Sequence, residues 1–438
     1  MLGSAWKGDT PLERIMLCWI TLACFGLFSA EQAFSQLATP VPPVNIIIDS
    51  DMSISADDVG DHAMMWGLVN KGEINVLAEI CSSANDFSAP AMWAIANYYG
   101  HPNVLIGAHK GPTPILENSA TSMYTERITA EFGKPGDTRF NYPDPVLVYR
   151  QALSRAPDHS VTIVANGYYQ PLQGLLQSAP DSSSSLTGLQ LVAQKVMRLV
   201  PGAGFLPSGN EHNLRVDADA ASFVFANWPT EVDWVGIQTS INVITGPSLT
   251  SEPAKDPVKR AYDLFSSTDR TPAFGQLPLL FAARGLGTNF AISGFDGMTI
   301  VSDFTQPIPG QDNWFPTPTA GQSFLSKAGT ASNLEIIINS LVQSSSNLPI
   351  VRSISPGSFT VGIAPPLITV KGTNFFPDSV ALIGGSLRAT TFLNSTQLNV
   401  QLLDHDVSHP GVRNLTVLNA KEDGWLSADF LFRVFNNK

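Results

Sequence analysis

The sequence predicts an α/β domain with a mostly parallel sheet flanked by helices, followed by a small all-β sandwich. Three observations carry that prediction. Between residues 44 and 347, short β-branched runs alternate with stretches of helical apolar spacing. Strands as continuously apolar as Ile46-Ile47-Ile48 need cover on both faces, which a parallel sheet between two helix layers supplies. After Ser344-Ser345-Ser346-Asn347 the pattern changes to short strands separated by turn signals such as Pro377-Asp378 and Gly384-Gly385. The 34 glycines and 32 prolines fit many turns and argue against a helix bundle.

Taken in order, the chain opens with Lys7 and Arg14, an uncharged run over residues 15–30, and the small-residue site Ala33-Phe34-Ser35. That order reads as a secretory signal peptide over residues 1–35. A membrane anchor is the alternative, but the apolar run is shorter than the roughly 20 residues a span requires. The mature chain is therefore expected to be exported. Residues 36–346 form the α/β unit, with strands predicted at 44–50, 74–81, 104–108, 161–166 and 234–239 and helices at 59–70, 89–99, 146–156, 171–177 and 218–227. Residues 347–438 form the sandwich, with strands at 367–371, 379–383, 397–402, 413–418 and 430–434.

Composition narrows the function classes. With 44% hydrophobic and 14% charged residues the chain is not a disordered one. A net charge of −12 lacks the basic footprint of a nucleic-acid binder and suits a cationic partner better. Two of the three cysteines, Cys18 and Cys24, fall in the leader, so Cys81 has no partner for a disulfide and no thiolate zinc site can be built.

The segment Ile48-Asp49-Ser50-Asp51, followed by Asp57-Asp58, carries the chemistry. An apolar strand delivers Asp49 and Asp51 at its carboxyl end, pointing to opposite faces. Asp57 and Asp58 then open a helix, where the macrodipole favours anions. Four carboxylates this close repel one another unless a cation neutralises them, and all-oxygen donors select a hard ion, Ca²⁺ or Mg²⁺. An acidic helix cap with a solvated loop is the plainer reading of the same residues.

On these residues the sequence resembles the inosine–uridine-preferring nucleoside hydrolase family, whose mark is Asp-x-Asp followed by paired aspartates. Further matches are Ser83-Ala84-Asn85, Val161 to Gly167 ending in Asn166, and Pro207 to Asn213 followed by Val216-Asp217-Ala218. The resemblance spans roughly residues 44–300. It implies a calcium-dependent enzyme that cleaves the N-glycosidic bond of ribonucleosides, giving ribose and free base. Asp51 would be a Ca²⁺ ligand and the base toward water; Asp58 and the carbonyl of Asn166 would be further ligands. Asp57, Asn85, Glu211 and Asn213 would bind the sugar, and Asp49 would support the loop from behind. A homo-oligomer is also implied.

The sequence departs from the family at Phe274-Gly275-Gln276, where Gly275 replaces the Asp expected as a late metal ligand. Asp269 or Gln276 are candidates to fill the gap, and Gly275→Asp would restore it. The departure motivates a second reading, a family member that binds nucleoside or sugar without turning it over. The tail resembles the IPT/TIG immunoglobulin-like domain, through Ile354-Ser355-Pro356, Gly372-Thr373-Asn374-Phe375 and Thr390-Thr391-Phe392. That resemblance implies an accessory contacting cell surfaces or glycans, and a third reading in which such contact is the chain's main task.

Overall fold

The computed structural model describes residues 42–436, apart from 54, 112–122, 247–248, 250–255, 266–269, 347–348, 365, 395, 420–424 and 428. The predicted leader and Asp269 lie outside the described residues.

The first half alternates strand and helix: β1 (Val44–Ser50), α1 (Asp57–Asn70), β2 (Ile74–Cys81), α2 (Ser88–Tyr98), β3 (Ile106–Ala108), α3 (Met123–Phe132), α4 (Pro145–Arg155) and β4 (Val161–Ala165). There follow α5 (Gln170–Gln177), α6 (Gly188–Lys195), β5 (Val196–Pro201), β6 (Ser208–Asn210), α7 (His212–Val216), α8 (Ala218–Asn227), β7 (Glu231–Trp234) and α9 (Ile237–Ser240). The domain closes with β8 (Ile244–Thr245), α10 (Pro257–Phe265), β9 (Thr271–Pro272), α11 (Gln276–Arg284), β10 (Phe290–Val301), β11 (Gln311–Pro316), β12 (Gln322–Lys327) and α12 (Ala331–Ser346).

Ten strands form one sheet in the order β3-β2-β1-β4-β5-β7-β12-β10-β11-β6. Pairing is parallel from β3 through to β12 and antiparallel beyond it. β1 sits inside the parallel part, and its period-2 alternation sorts its side chains between two cores. Ile46 and Ile48 join α1, α2, α11 and α12 on one face. Ile47 joins α4, α5, α6 and α8 on the other. That double burial is why the strand reads as an unbroken apolar run. In register, Asp49 pairs with Ala165 and Ala165 with Pro201, so residues 50, 166 and 202 emerge side by side at the carboxyl edge, with Asp51 the next residue out. This is where open parallel sheets bind ligands.

One expectation changes. The strand expected at 234–239 is instead Glu231–Trp234, and the chain turns at Gly236 into α9. Its acidic residues disguise it, because Asp233 is buried against Arg198 Nη1 at 3.1 Å. The serine run ends α12 at Ser346, and Leu334, Ile338, Leu341 and Val342 anchor that helix in the core beside α1. At that contact a Cβ on Gly67 would lie 2.0 Å from the Leu341 carbonyl oxygen, so only glycine lets the helices approach this closely.

The tail is a sandwich of two sheets. Ile350–Ser355, Leu367–Thr373, Gln397–Gln401 and Thr390–Asn394 form one; Ser358–Thr360, Phe430–Phe435, Gly411–Asn419, Ser379–Ile383 and Ser386–Leu387 form the other. Ile368, Val370, Leu398, Val400, Leu415, Val417 and Phe432 fill the space between them. A buried Arg388–Asp406 pair, Nε to Oδ2 at 2.7 Å, closes one end. His405 meets Arg388 and His409 meets Ser408, so these two histidines, four apart in sequence, are engaged separately.

Candidate active site

The carboxyl edge of the sheet opens into a cavity of about 280 Å³. Its lining includes Asp51, Asp57, Asp58, Asn166, Glu211 and Asn213, six of the seven residues proposed from sequence. The seventh, Asn85, is buried outside the lining, where its Oδ1 accepts from Phe87 N (2.9 Å) and Thr125 Oγ1 (3.2 Å).

Each residue has a local reason for its place. Asp51 follows β1 directly, and Ser50 Oγ donates to Asp58 Oδ1 at 3.2 Å, tying the strand end to the first turn of α1. Asp57 accepts from Ser55 Oγ and, through Oδ2, from Gly275 N at 3.1 Å. Glu211 accepts from the backbone N–H of Asn213 and Leu214 and so caps α7. Asn213 Nδ2 donates to the Asn166 carbonyl at 2.9 Å. Asp49 points to the opposite face, where Tyr149 Oη donates to it at 2.8 Å. That matches its expected place behind the loop.

The carboxylates are packed beyond what an ion-free site tolerates easily. Burial pushes Asp57 up to about 6, against the hydrogen bonds from Ser55 and Gly275 that favour its charged form. Burial, then the charges of Asp51, Asp57 and Asp61, hold Asp58 well above the usual carboxylate range. Asp61, one turn further along α1, is fully buried, and burial raises it to about 7. Its Oδ2 accepts from Asn166 Nδ2 at 2.8 Å, and that amide also donates to Gly275 O at 3.1 Å. A Cβ at Gly275 would lie 2.2 Å from Asp61 Oδ2. The volume an aspartate at 275 would enter is thus already held by the Asp61 carboxylate. Behind it lies a buried His62–Glu79 pair, Nδ1 to Oε2 at 2.7 Å. Burial opposes the His62 charge, but Glu79 and Asp61 outweigh it and raise that imidazole.

As a cation site the donors fit in kind: buried, all oxygen, and mutually repelling. Among the described residues no three His, Cys, Asp or Glu side chains converge as a ready-made metal cage. What the pocket offers is Asp51 and Asp58 with the neutral carbonyl of Asn166. Other lining residues have no role assigned from sequence: Ile237 and Phe274 supply apolar wall, and His212 and Arg215 supply nitrogen donors. Tyr168 and Tyr169, which follow Gly167, are buried outside the lining.

The sheet order and the pocket at its carboxyl edge define the class, a nucleoside hydrolase-like α/β fold joined to an immunoglobulin-like sandwich. Residues 349–434 match the IPT/TIG domain family. The larger unit is similar to a plant nucleoside hydrolase, PpNRh1, at 16% identity and TM-score 0.52, over 70% of this chain and 99% of that one. It is similar to an inosine-uridine preferring nucleoside hydrolase from Bacillus anthracis at 13% identity and TM-score 0.50, over 69% of this chain and 99% of that one. The effector protein XOO4466 aligns at 12% identity and TM-score 0.53, over 73% and 98%. At these identities the likeness is one of fold. No curated protein matches the chain.

Proposed function

We propose that this pocket hydrolyses the N-glycosidic bond of a ribonucleoside to ribose and free base. The observation that carries the reading is the set of three buried, mutually repelling carboxylates, Asp51, Asp57 and Asp58, lining one cavity at the carboxyl edge of the sheet. Breaking an N-ribosyl bond builds positive charge on the sugar, and fixed carboxylates in a low-dielectric wall stabilise it. Asp51 takes the proton from the attacking water. Asp57, Glu211 and Asn213 hold the sugar hydroxyls; Asn85 would have to release Thr125 to join them. Asp51, Asp58 and the Asn166 carbonyl would hold a divalent cation, proposed as Ca²⁺. When bound, that ion lowers the pKa of water and orients the ribose diol. The fold shared with nucleoside hydrolases supports the reading.

We further propose export after cleavage near residue 35, self-association, and contact of the sandwich with cell-surface glycans. Among the described residues no helix is long and apolar enough to cross a membrane. The test is reducing-sugar release by residues 36–438 from a nucleoside panel, with Ca²⁺ and then with a chelator. Release that the chelator abolishes is expected; Asp51→Ala and Asp58→Ala should each lose it while keeping the native circular dichroism spectrum. Full turnover in both variants would sink the proposal. The second reading, a binder without turnover, is favoured by Asp61 standing where an aspartate at 275 would reach. It predicts nucleoside binding by calorimetry with no sugar release.

A further inference from the structure

The cavity that gathers the carboxylates also holds a feature of opposite sign. Arg215 and His212, on the short helix α7, are both among its lining residues. The Arg215 guanidinium donates through Nη1 to Asn210 Oδ1 at 3.3 Å, and its Nη2 lies 3.5 Å from His212 Nδ1. Asn210 is itself fixed, its Nδ2 donating to Pro309 O at 2.8 Å. Arg215 therefore leans on two neutral groups and makes no ion pair among those the described residues form, although the pocket is rich in carboxylates.

His212 completes the pattern. Facing a guanidinium, its Nδ1 is the acceptor, which assigns the ring proton to Nε2. That Nε2 is buried and meets no protein partner. Burial and the neighbouring Arg215 both lower the imidazole's pKa, so it is a neutral donor at pH 7. A permanent cation with free N–H groups beside an unpaired buried N–H is the donor set that phosphate oxygens satisfy. Neutral ribose hydroxyls need no guanidinium.

We propose that Arg215 and His212 form an anion subsite, and that the substrate carried by this pocket is a ribose bearing a phosphate, a ribonucleoside 5′-phosphate. The assignment to the 5′ side rests on the proposed function: Glu211 and Asn213, which flank His212, are there the residues that hold the sugar. The overall step remains a hydrolysis. The C1′–N bond breaks, water supplies the new C1′ oxygen and the base's proton, and the products are ribose 5-phosphate and free base.

The experiment has a binding arm and a turnover arm. Calorimetry on residues 36–438 compares ribose 5-phosphate, ribose and inorganic phosphate; a second series uses Arg215→Gln, which removes the charge at an exposed position. The expected result is at least tenfold tighter binding of ribose 5-phosphate than of either ribose or phosphate, collapsing towards the ribose value in the variant. Equal binding of ribose and its phosphate, an unchanged ratio in Arg215→Gln, or a site satisfied by inorganic phosphate alone would each overturn the subsite. The turnover arm compares kcat/KM for a nucleoside and its 5′-monophosphate. Nucleoside cleavage with no preference for the phosphate ester refutes the subsite and keeps the hydrolase. Preferential binding of ribose 5-phosphate, lost in Arg215→Gln, with no cleavage of any nucleoside or nucleotide refutes the hydrolase and keeps the subsite.

Discussion

At position 275 the backbone passes so close to Asp61 that a side chain there has nowhere to go. The sequence alone makes Gly275→Asp look like repair of a missing ligand. With the structure in hand the expected outcome reverses: Gly275→Asp destabilises the protein by about 1–3 kcal/mol through overpacking and like-charge crowding, and calcium affinity measured by calorimetry does not rise. Pairing it with Asp61→Ala removes the obstructing carboxylate and should recover most of the loss. A single variant as stable as the parent would refute the crowding. The same pocket shows what was legible in sequence at this scale. Asp51, Asp57, Asp58, Asn166, Glu211 and Asn213 are each found through short motifs at strand ends and a helix start, where local geometry dictates direction. Asn85 shares such a motif, but Thr125, forty positions away, engages its side chain. Asp61, Phe274 and Arg215 belong to the pocket region only because distant segments meet there, which no local spacing encodes.

The acidic start of α1 gives an element-scale pH dependence. In the ion-free protein Asp49 is raised to about 7, Asp57 to about 6 and Asp61 to about 7, each from 3.8, chiefly by burial. The unfolded chain releases these protons near its ordinary carboxylate pKa, whereas the folded one keeps them to pH 6–7. Their contribution to stability is therefore full below about 4 and is lost as pH rises towards 7. Urea midpoints in chelator should fall between pH 5 and pH 8, and Ca²⁺ should raise the midpoint more at pH 8. A flat profile would contradict this. Packing of α1 on α12 offers a second test. Gly67→Ala drives a methyl into the Leu341 carbonyl; the cost of about 1–3 kcal/mol exceeds the roughly 1 kcal/mol that alanine gains over glycine in a helix. Chemical denaturation measures it. Elements were legible where one physical cause dominated, as in β1, buried on both faces. β10 was missed because Gly294 and Gly297 coincide with two register shifts that break its alternation. The end of α12 was missed because a serine run looks like a linker when Leu341 and Val342 cannot be seen to be buried.

For the whole molecule, the two units have separate cores, and every described lining residue of the pocket falls between Asp51 and Gly275. Removing residues 349–438 should therefore leave ligand affinity within about twofold, since distant independent sites perturb one another little; a tenfold loss would show that the sandwich shapes the pocket. The order in which the chain is made has its own consequence. The bond from Gly275 N–H to Asp57 joins positions 218 apart, so a ribosome must release α11 before the pocket can close. Until then the carboxylates of an emerging chain are not gathered around one cavity. Under the proposed function, ligand binding is thus a late event of biosynthesis and reports that the α/β unit has finished folding.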